Sequence, residues 1–457
     1  MKKTVYLSAF ILLFCSTTKL FSQLINYNGK NYFINGVNVP WHLYSQDFGT
    51  HYQWGAQYNG LWYDSVFAEC ESYGINCARF WLHTDGATSP EFDATGSVTG
   101  LDTNFFSNLD DIFSRALKHH IMLIPSIWDF SITNNDAALG MYGGMHATLI
   151  QDSSKTRSYI NNVLIPMVQR YDNQCNLFAW ELINEPEWSM NIPFAGTTTQ
   201  NVNANEMQRF VGMMAEAIHQ YSSKMVTVGS ASLRYNSDKF DVTTPCVGNY
   251  WKDQAIQSTY NKPLARLDFY EVHYYDWMNG AISFDPYKSC CPENYWQLDK
   301  PVLIGESQGN SNKHTPNDML YNAYTGNFSG VMFWSFSAGA DSMGQFSQFK
   351  NSLLTFRNII PSLIDFDTTI CLTTDIHQSS ANNSIRIFPN PAVTELHISG
   401  ISQETRIQLY DVLGKLIMET ETESNLLLDT GKLGAGIYTL VTEDNKGRIY
   451  SKVFIAR

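Results

Sequence analysis

Phe178-Ala-Trp-Glu-Leu-Ile-Asn-Glu-Pro-Glu-Trp188 begins as a short apolar, aromatic run and ends in Asn184-Glu185-Pro186. Its length and composition are those of a buried strand. Proline has no N–H to give to a sheet, so the strand stops there. An acid is thereby presented at the C-terminal tip of a hydrophobic strand. In a (β/α) barrel that tip is where catalysis sits. Pro301-Val-Leu-Ile-Gly-Glu-Ser307 has the same form and places Glu306 at the end of another apolar strand. Two carboxyls on two strand tips can flank one glycosidic bond.

Working outward, residues 32–39 read as a first strand, ended by Pro40 and followed by Trp41. Residues 75–81 form the second, with Arg79 near its end and His83 beyond it. Residues 121–126 form the third, followed by Trp128 and Asp129. The opening stretch is the fourth, and 225–229 the fifth. The sixth, 267–274, carries His273 and leads into Tyr275. Residues 301–305 and 330–335 are the seventh and eighth, the latter with Trp334. Helical patterns fall at 64–73, 104–120, 153–171 (with a kink at Pro166) and 205–221. Between Gly229 and Leu267 the sequence shows loop chemistry and no clear helix. Eight short strands alternating with helices predict a (β/α)8 TIM barrel.

The flanks read differently. Residues 1–22 predict a signal peptide: Lys2 and Lys3, an apolar region at 5–14, and Ser22 before Gln23. The apolar run is too short to span a bilayer, and no other stretch is apolar enough for a membrane helix. The barrel occupies 23–366, and a Thr/Ser/Asn/Asp-rich linker occupies 367–384. From 385 to 457 short alternating strands with turn signals predict a small β-sandwich.

Composition narrows the function. Of the 457 residues 44% are hydrophobic and 16% charged, enough apolar material for a sizeable core. A net charge of -13 argues against nucleic acid, which needs clustered Lys and Arg. A neutral substrate fits better; many of the 11 Trp belong to the core, and a surplus on loops would suit stacking against sugar rings. Cys15 belongs to the signal segment. The other cysteines are Cys70, Cys77, Cys175, Cys246, Cys290, Cys291 and Cys371, an odd set that leaves at least one without an intramolecular partner. Cys70 and Cys77 read as buried small hydrophobes. No Cys/His spacing suggests a zinc site.

The barrel region, roughly 24–363, resembles glycoside hydrolase family 5 and its clan of retaining (β/α)8 glycanases. The carriers are Arg79, Asn184-Glu185-Pro186, His273 with Tyr275, Glu306 and Trp334, in that order and each at a strand end. The resemblance implies Glu185 as acid/base and Glu306 as nucleophile. Arg79 and Tyr275 would hold the nucleophile, Asn184 would bond the sugar 2-hydroxyl, and His273 would support the pair. Trp334 would form the floor under a sugar ring, with Trp41 and Trp128 as further contacts. Many members carry a histidine at the end of the third strand; here that strand has none, and His83 is the candidate stand-in. Glu181, deeper in the fourth strand, reads as structural. Asp129 reads as a turn or cap residue that can also meet substrate.

The last region is similar to the C-terminal sorting domain of the Bacteroidetes type IX secretion system. The carriers are Ile387-Phe-Pro-Asn-Pro391, Leu409-Tyr-Asp-Val-Leu-Gly-Lys415 and Leu433-Gly-Ala-Gly-Ile-Tyr438, with Lys452 and Arg457 near the end. Together the two resemblances imply a secreted or surface-exposed endo-β-glycanase. Its partners would be a β-1,4-linked polysaccharide and the secretion machinery, with no metal or organic cofactor. Mannan is favoured over glucan. The rival readings are a carbohydrate-binding barrel without catalysis and a cell-surface adhesin.

Overall fold

The computed structural model describes residues 24–134, 146–241, 244–281, 284–288, 296–337, 342–372, 386–388, 390, 392–401, 403–411, 415–444 and 447–455. The expected signal peptide, most of the linker, Cys290, Cys291 and Arg457 lie outside them. The chain divides after Thr368 into two compact units, each with its own core.

The first unit is a closed barrel of eight parallel strands. In chain order they are β1 Ile34–Asn38, β2 Cys77–Thr84, β3 Met122–Asp129, β4 Ala179–Asn184, β5 Met225–Ser230, β6 Tyr270–Tyr274, β7 Val302–Gln308 and β8 Gly330–Trp334. Each pairs with its sequence neighbours, and β8 returns to β1 to close the ring. The predicted TIM barrel is therefore the fold observed. The strands are buried almost throughout, as strands covered by helices outside and by one another inside must be.

Helices Gly60–Ser72, Thr103–Lys118 and Ala204–Tyr221 pack their apolar stripes on the barrel. Asn59, Asp102 and Asn203 cap them, each accepting a first-turn backbone N–H. The kink expected at Pro166 is a π turn, Ile160–Leu164, between helices Ser153–Tyr159 and Ile165–Arg170. Pro166 has no N–H for the carbonyl four residues back, so the ladder changes register before it. Between β5 and β6 the sequence suggested no helix, yet Asp253–Thr259 is helical. Its one buried residue, Ile256, gives no period to read. It sits close to Gly212 of the long helix, where an added Cβ would lie 3.0 Å from Ile256.

The second unit holds two antiparallel sheets. One contains Arg386–Phe388, Glu395–Ser399 and Leu426–Asp429. The other contains Thr405–Tyr410, Leu416–Thr422, Gly436–Asp444 and Gly447–Ile455. Leu396, Ile398 and Leu428 of the first share a core with Ile407, Leu409, Leu440 and Val453 of the second. That is the expected sandwich. Among the described residues no helix is long and apolar enough to cross a membrane. Cys70 and Cys77 are free and buried, and Cys246 is buried, whereas Cys175 and Cys371 each take part in a disulfide.

Gly305 precedes Glu306 on β7 and lies against the side chain of Glu271 on β6. A Cβ there would stand 2.0 Å from Glu271 Oε1, inside a site with no room to move. Gly305→Ala is expected to destabilise the barrel by about 1–3 kcal/mol, the usual cost of overpacking. Urea denaturation measures this; an unchanged midpoint would show that the interior is looser than described.

Candidate active site

The inside of the barrel is organised by one cation. Arg79, on β2, is wholly buried. Its guanidinium is a planar fork of five donors. Nη1 donates to Asn38 Oδ1 at 2.8 Å and to Glu306 Oε1 at 2.8 Å. Nη2 donates to Glu181 Oε1 at 2.7 Å and Asn184 Oδ1 at 2.6 Å. Nε pairs with Glu181 Oε2 and lies 3.1 Å from Glu271 Oε1. Burial would weaken its hold on its proton, but Glu181, Glu271 and Glu306 outweigh burial and keep Arg79 firmly charged. The surplus acid answers in the other direction. Glu271 is pushed well above the carboxylate range by burial and by the neighbouring Glu181 charge.

Two carboxyls meet above this layer. Glu185 follows the last residue of β4 in a left-handed conformation, φ 45° and ψ 48°, with its N–H on the Gly229 carbonyl at 2.6 Å. Such a backbone costs a non-glycine residue about 1–3 kcal/mol and marks functional positions. Glu185 Oε2 accepts from Trp188 Nε1 at 2.9 Å, and Oε1 lies 2.9 Å from His273 Nδ1. Glu306, within β7, accepts from Arg79 through Oε1 and from Tyr275 OH through Oε2 at 2.5 Å. His273 Nδ1 is 3.5 Å from that second oxygen. One oxygen of each carboxyl and the histidine nitrogen all lie within 4.8 Å of one another. Among the described residues this trio is also spaced closely enough to share a cation, although the hydrogen bonds just given already engage both carboxyls.

Their environments differ. Burial, followed by the Asp129 charge, pushes Glu185 up to about 8, against the pull of Trp188 and Arg79. Burial also raises Glu306, but there Arg79 and the Tyr275 hydroxyl oppose it at contact distance. Burial lowers His273 to about 4, so at neutral pH its ring is uncharged.

The carboxyls open into a cleft of about 510 Å³ walled by Trp41, Tyr44, Trp81, Trp188, Trp277 and Trp334. Trp81 meets Trp41 and Trp334 edge-on at 5.8 and 5.7 Å. Asn184 and Asp129 complete one wall. Asn184 is fixed from both ends: Oδ1 accepts from Arg79, and Nδ2 donates to Asp129 Oδ2 at 2.7 Å. Asp129 also caps the following 3-10 turn through Ser131 N at 2.9 Å.

The structure thus gathers Arg79, Asn184, Glu185, His273, Tyr275 and Glu306, with Trp41 and Trp334 in the cleft wall. His83 and Trp128 are not there. His83 is buried and bonds Ser89 Oγ at 2.7 Å and Tyr159 OH at 3.2 Å. Trp128 is buried beside it, with ring centroids 4.8 Å apart. For His83 the reason is a register shift between Trp81 and Thr84, an extra residue of β2 where it pairs with β3. Ser126 still faces inward, to Glu181, but so does Asp129, to Asn184. The intervening Trp128 is turned into the helix layer. Arg79 is also the third residue of a longer strand than expected, and β7 runs two residues past Glu306. Sequence reading missed Tyr44 and Trp81 as wall residues. It gave Trp188 no role, although its place three residues after Glu185 gives a reason to pair them.

Comparison with known proteins follows the division of the chain. Residues 386–456 match the family model of the secretion system C-terminal sorting domain. The barrel region is 31% identical over 352 residues to a mannan endo-1,4-beta-mannosidase of Mytilus edulis, covering 72% of this chain and 92% of the relative. A mannan endo-1,4-beta-mannosidase of Cryptopygus antarcticus is 29% identical over 345 residues, covering 70% and 85%. The X-ray structure of the blue mussel beta-mannanase superposes with a TM-score of 0.62 at 28% identity, over 73% of this chain and 94% of that one. The Cryptopygus beta-1,4-D-mannanase gives 0.64 at 28% identity, over 72% and 92%.

If Glu185 works as an acid and Glu306 as an anion, kcat/KM is bell-shaped, because it reports the free enzyme's groups. The alkaline limb should fall near pH 8, where Glu185 loses its proton. The acid limb should lie above the ordinary carboxylate range, since Glu306 is raised. Asp129→Asn removes an anion that disfavours Glu185 ionisation, so its alkaline limb should move to lower pH. A limb that stays in place or rises would contradict this electrostatic account.

Proposed function

The chain belongs to the mannan endo-1,4-beta-mannosidases of glycoside hydrolase family 5, and on that footing we propose that it cuts β-1,4-mannan internally with retention at the anomeric carbon. The observation that carries the stereochemical part is the approach of the two carboxyls, whose oxygens come within 4.8 Å. Retaining enzymes hold them about 5–5.5 Å apart, whereas inverting enzymes leave room for a water between them. The chain carries a type IX sorting domain, which directs it to the cell surface or the medium.

In this reading Glu306 attacks the anomeric carbon. Its carboxylate forms the new bond as the bond to the leaving oxygen breaks, and Glu185 protonates that oxygen. Glu185 then takes a proton from a water that attacks the same carbon and frees Glu306. Trp188 donates to Glu185 Oε2, so the catalytic proton sits on Oε1. Asn184 spends one amide hydrogen on Asp129 and keeps the other for the sugar 2-hydroxyl. Trp334 underlies the sugar at the cleavage point, and Trp41 extends the wall. A neutral polysaccharide suits an aromatic cleft on a chain of net charge -13.

Azide separates the two glutamates. Glu185→Ala is expected to lose about 10²–10⁴-fold in kcat on mannan, the usual worth of a general acid. On an activated aryl mannoside it should still form the covalent intermediate and then stall; azide should restore turnover and yield the β-azide. Glu306→Ala with azide should yield the α-azide, by direct attack on the vacated face. NMR of the azide products decides: swapped anomers reverse the assignment.

Export is tested separately. Deleting residues 384–457 should leave mannan hydrolysis intact and hold the protein in the periplasm, because the barrel has its own core. Normal secretion of the truncated chain would exclude a sorting role.

A further inference from the structure

Phe194 stands on the loop after β4 with 67% of its surface open. Single exposed apolar residues are ordinary, but this one is built in place. Its backbone is left-handed, φ 62°, a conformation that bulky side chains rarely adopt. Its carbonyl accepts Tyr235 OH at 2.8 Å. One face of its ring lies over the Arg234 guanidinium, 4.1 Å from the centroid, and Arg234 itself is only 8% exposed. The loop is tied to the catalytic turn on its return: Gly196 N donates to Glu187 O at 3.2 Å and Thr197 N to Trp188 O at 2.7 Å. Glu187 is buried beneath and accepts from Ser230 Oγ at 2.6 Å and Trp251 Nε1 at 2.6 Å. The ring is therefore held still, one face on a buried cation and the other toward solvent.

Its position follows from the chain. Thr197 is three positions on from Phe194, a reach of about 10 Å at most, and Thr197 is bonded to Trp188, a wall of the cleft. Glu185, which protonates the leaving oxygen, directly follows β4 at the start of the same connection. The acid must reach the bridging oxygen, so the leaving part of the chain begins next to Glu185.

We propose that Phe194 is a distal platform for the leaving part of the chain, on which a mannan residue beyond those held in the cleft stacks its apolar face. This rests on the mannanase reading of the cleft. A ring already fixed in its bound position loses little freedom on binding, so even one contact gives measurable affinity. The platform acts on long chains alone, since short ones end before they reach it.

The experiment compares mannotetraose, mannopentaose and mannohexaose as substrates for the wild type, Phe194→Asn and Phe194→Trp. Asparagine adopts the left-handed backbone readily, so it removes the ring without disturbing the turn. Phe194→Asn is expected to raise KM for mannohexaose about two- to tenfold, the range of an aromatic contact, with mannotetraose unchanged. Reducing-end-labelled mannohexaose should be cut at a shifted bond, because the register that fills the platform is no longer favoured. Phe194→Trp should restore the wild-type pattern. Leu61→Ala, at an exposed apolar position on the helix Gly60–Ser72, should alter nothing. Equal effects at every chain length, or none at any, would overturn the platform. Wild-type protein that leaves all three substrates uncut would instead overturn the mannanase reading.

Discussion

The Arg79 guanidinium, buried among three glutamate carboxyl groups, is the interaction on which the rest depends. Long charged side chains are almost never fully buried unless paired. Arg79 bonds or pairs with groups on β1, β4, β6 and β7 from its own place on β2. Removing one partner of such a group leaves the others buried and uncompensated, at a cost of about 3–5 kcal/mol. The network also dictates residues that never touch it as donors or acceptors. A Cβ at Gly229 would stand 2.7 Å from Glu181 and 2.9 Å from Arg79, so β5 needs a glycine there as β7 needs Gly305. The charge pattern and the backbone pattern are thus one constraint.

From that hub follows the difference between the two glutamates above it. Both are buried, and burial alone raises any carboxyl. Glu306 lies directly on the cation and accepts a second hydrogen bond from Tyr275. Glu185 has no contact with Arg79 and faces the Asp129 charge instead. The same low-dielectric pocket therefore favours a proton on both acids, but less strongly on Glu306. This is how paired carboxyls divide into donor and nucleophile. Asp129 and Asn184 carry the link between the layers: Asn184 joins the Arg79 cation to the Asp129 anion, and both line the cleft.

Much of this was legible in the sequence, for a physical reason. Strands buried on both faces are continuous apolar runs, so Pro186 and the acid before it stood out against Ala179–Asn184. The order of Arg79, Glu185, His273 and Glu306 along the chain placed them at one mouth before any distance was known. What failed was the direction of side chains where the ladder is irregular. The resemblance pointed His83 and Trp128 to the cleft, but both are turned away; for His83 the cause is an extra residue in β2, and bulges leave no mark in composition. The helix Asp253–Thr259 escaped because a single buried Ile256 has no periodicity. Trp81 reads as one more core aromatic until its neighbours Trp41 and Trp334 are known.

The central claim is that Glu306 attacks carbon and Glu185 supplies and recovers the proton, so that two displacements restore the original configuration. Proton NMR of a manno-oligosaccharide during the first minutes of hydrolysis by the wild-type protein tests it directly. The account predicts that the new reducing end appears first as the β-anomer and drifts to the equilibrium mixture only later. Initial release of the α-anomer would mean a single displacement by water, and would contradict the roles assigned to both glutamates.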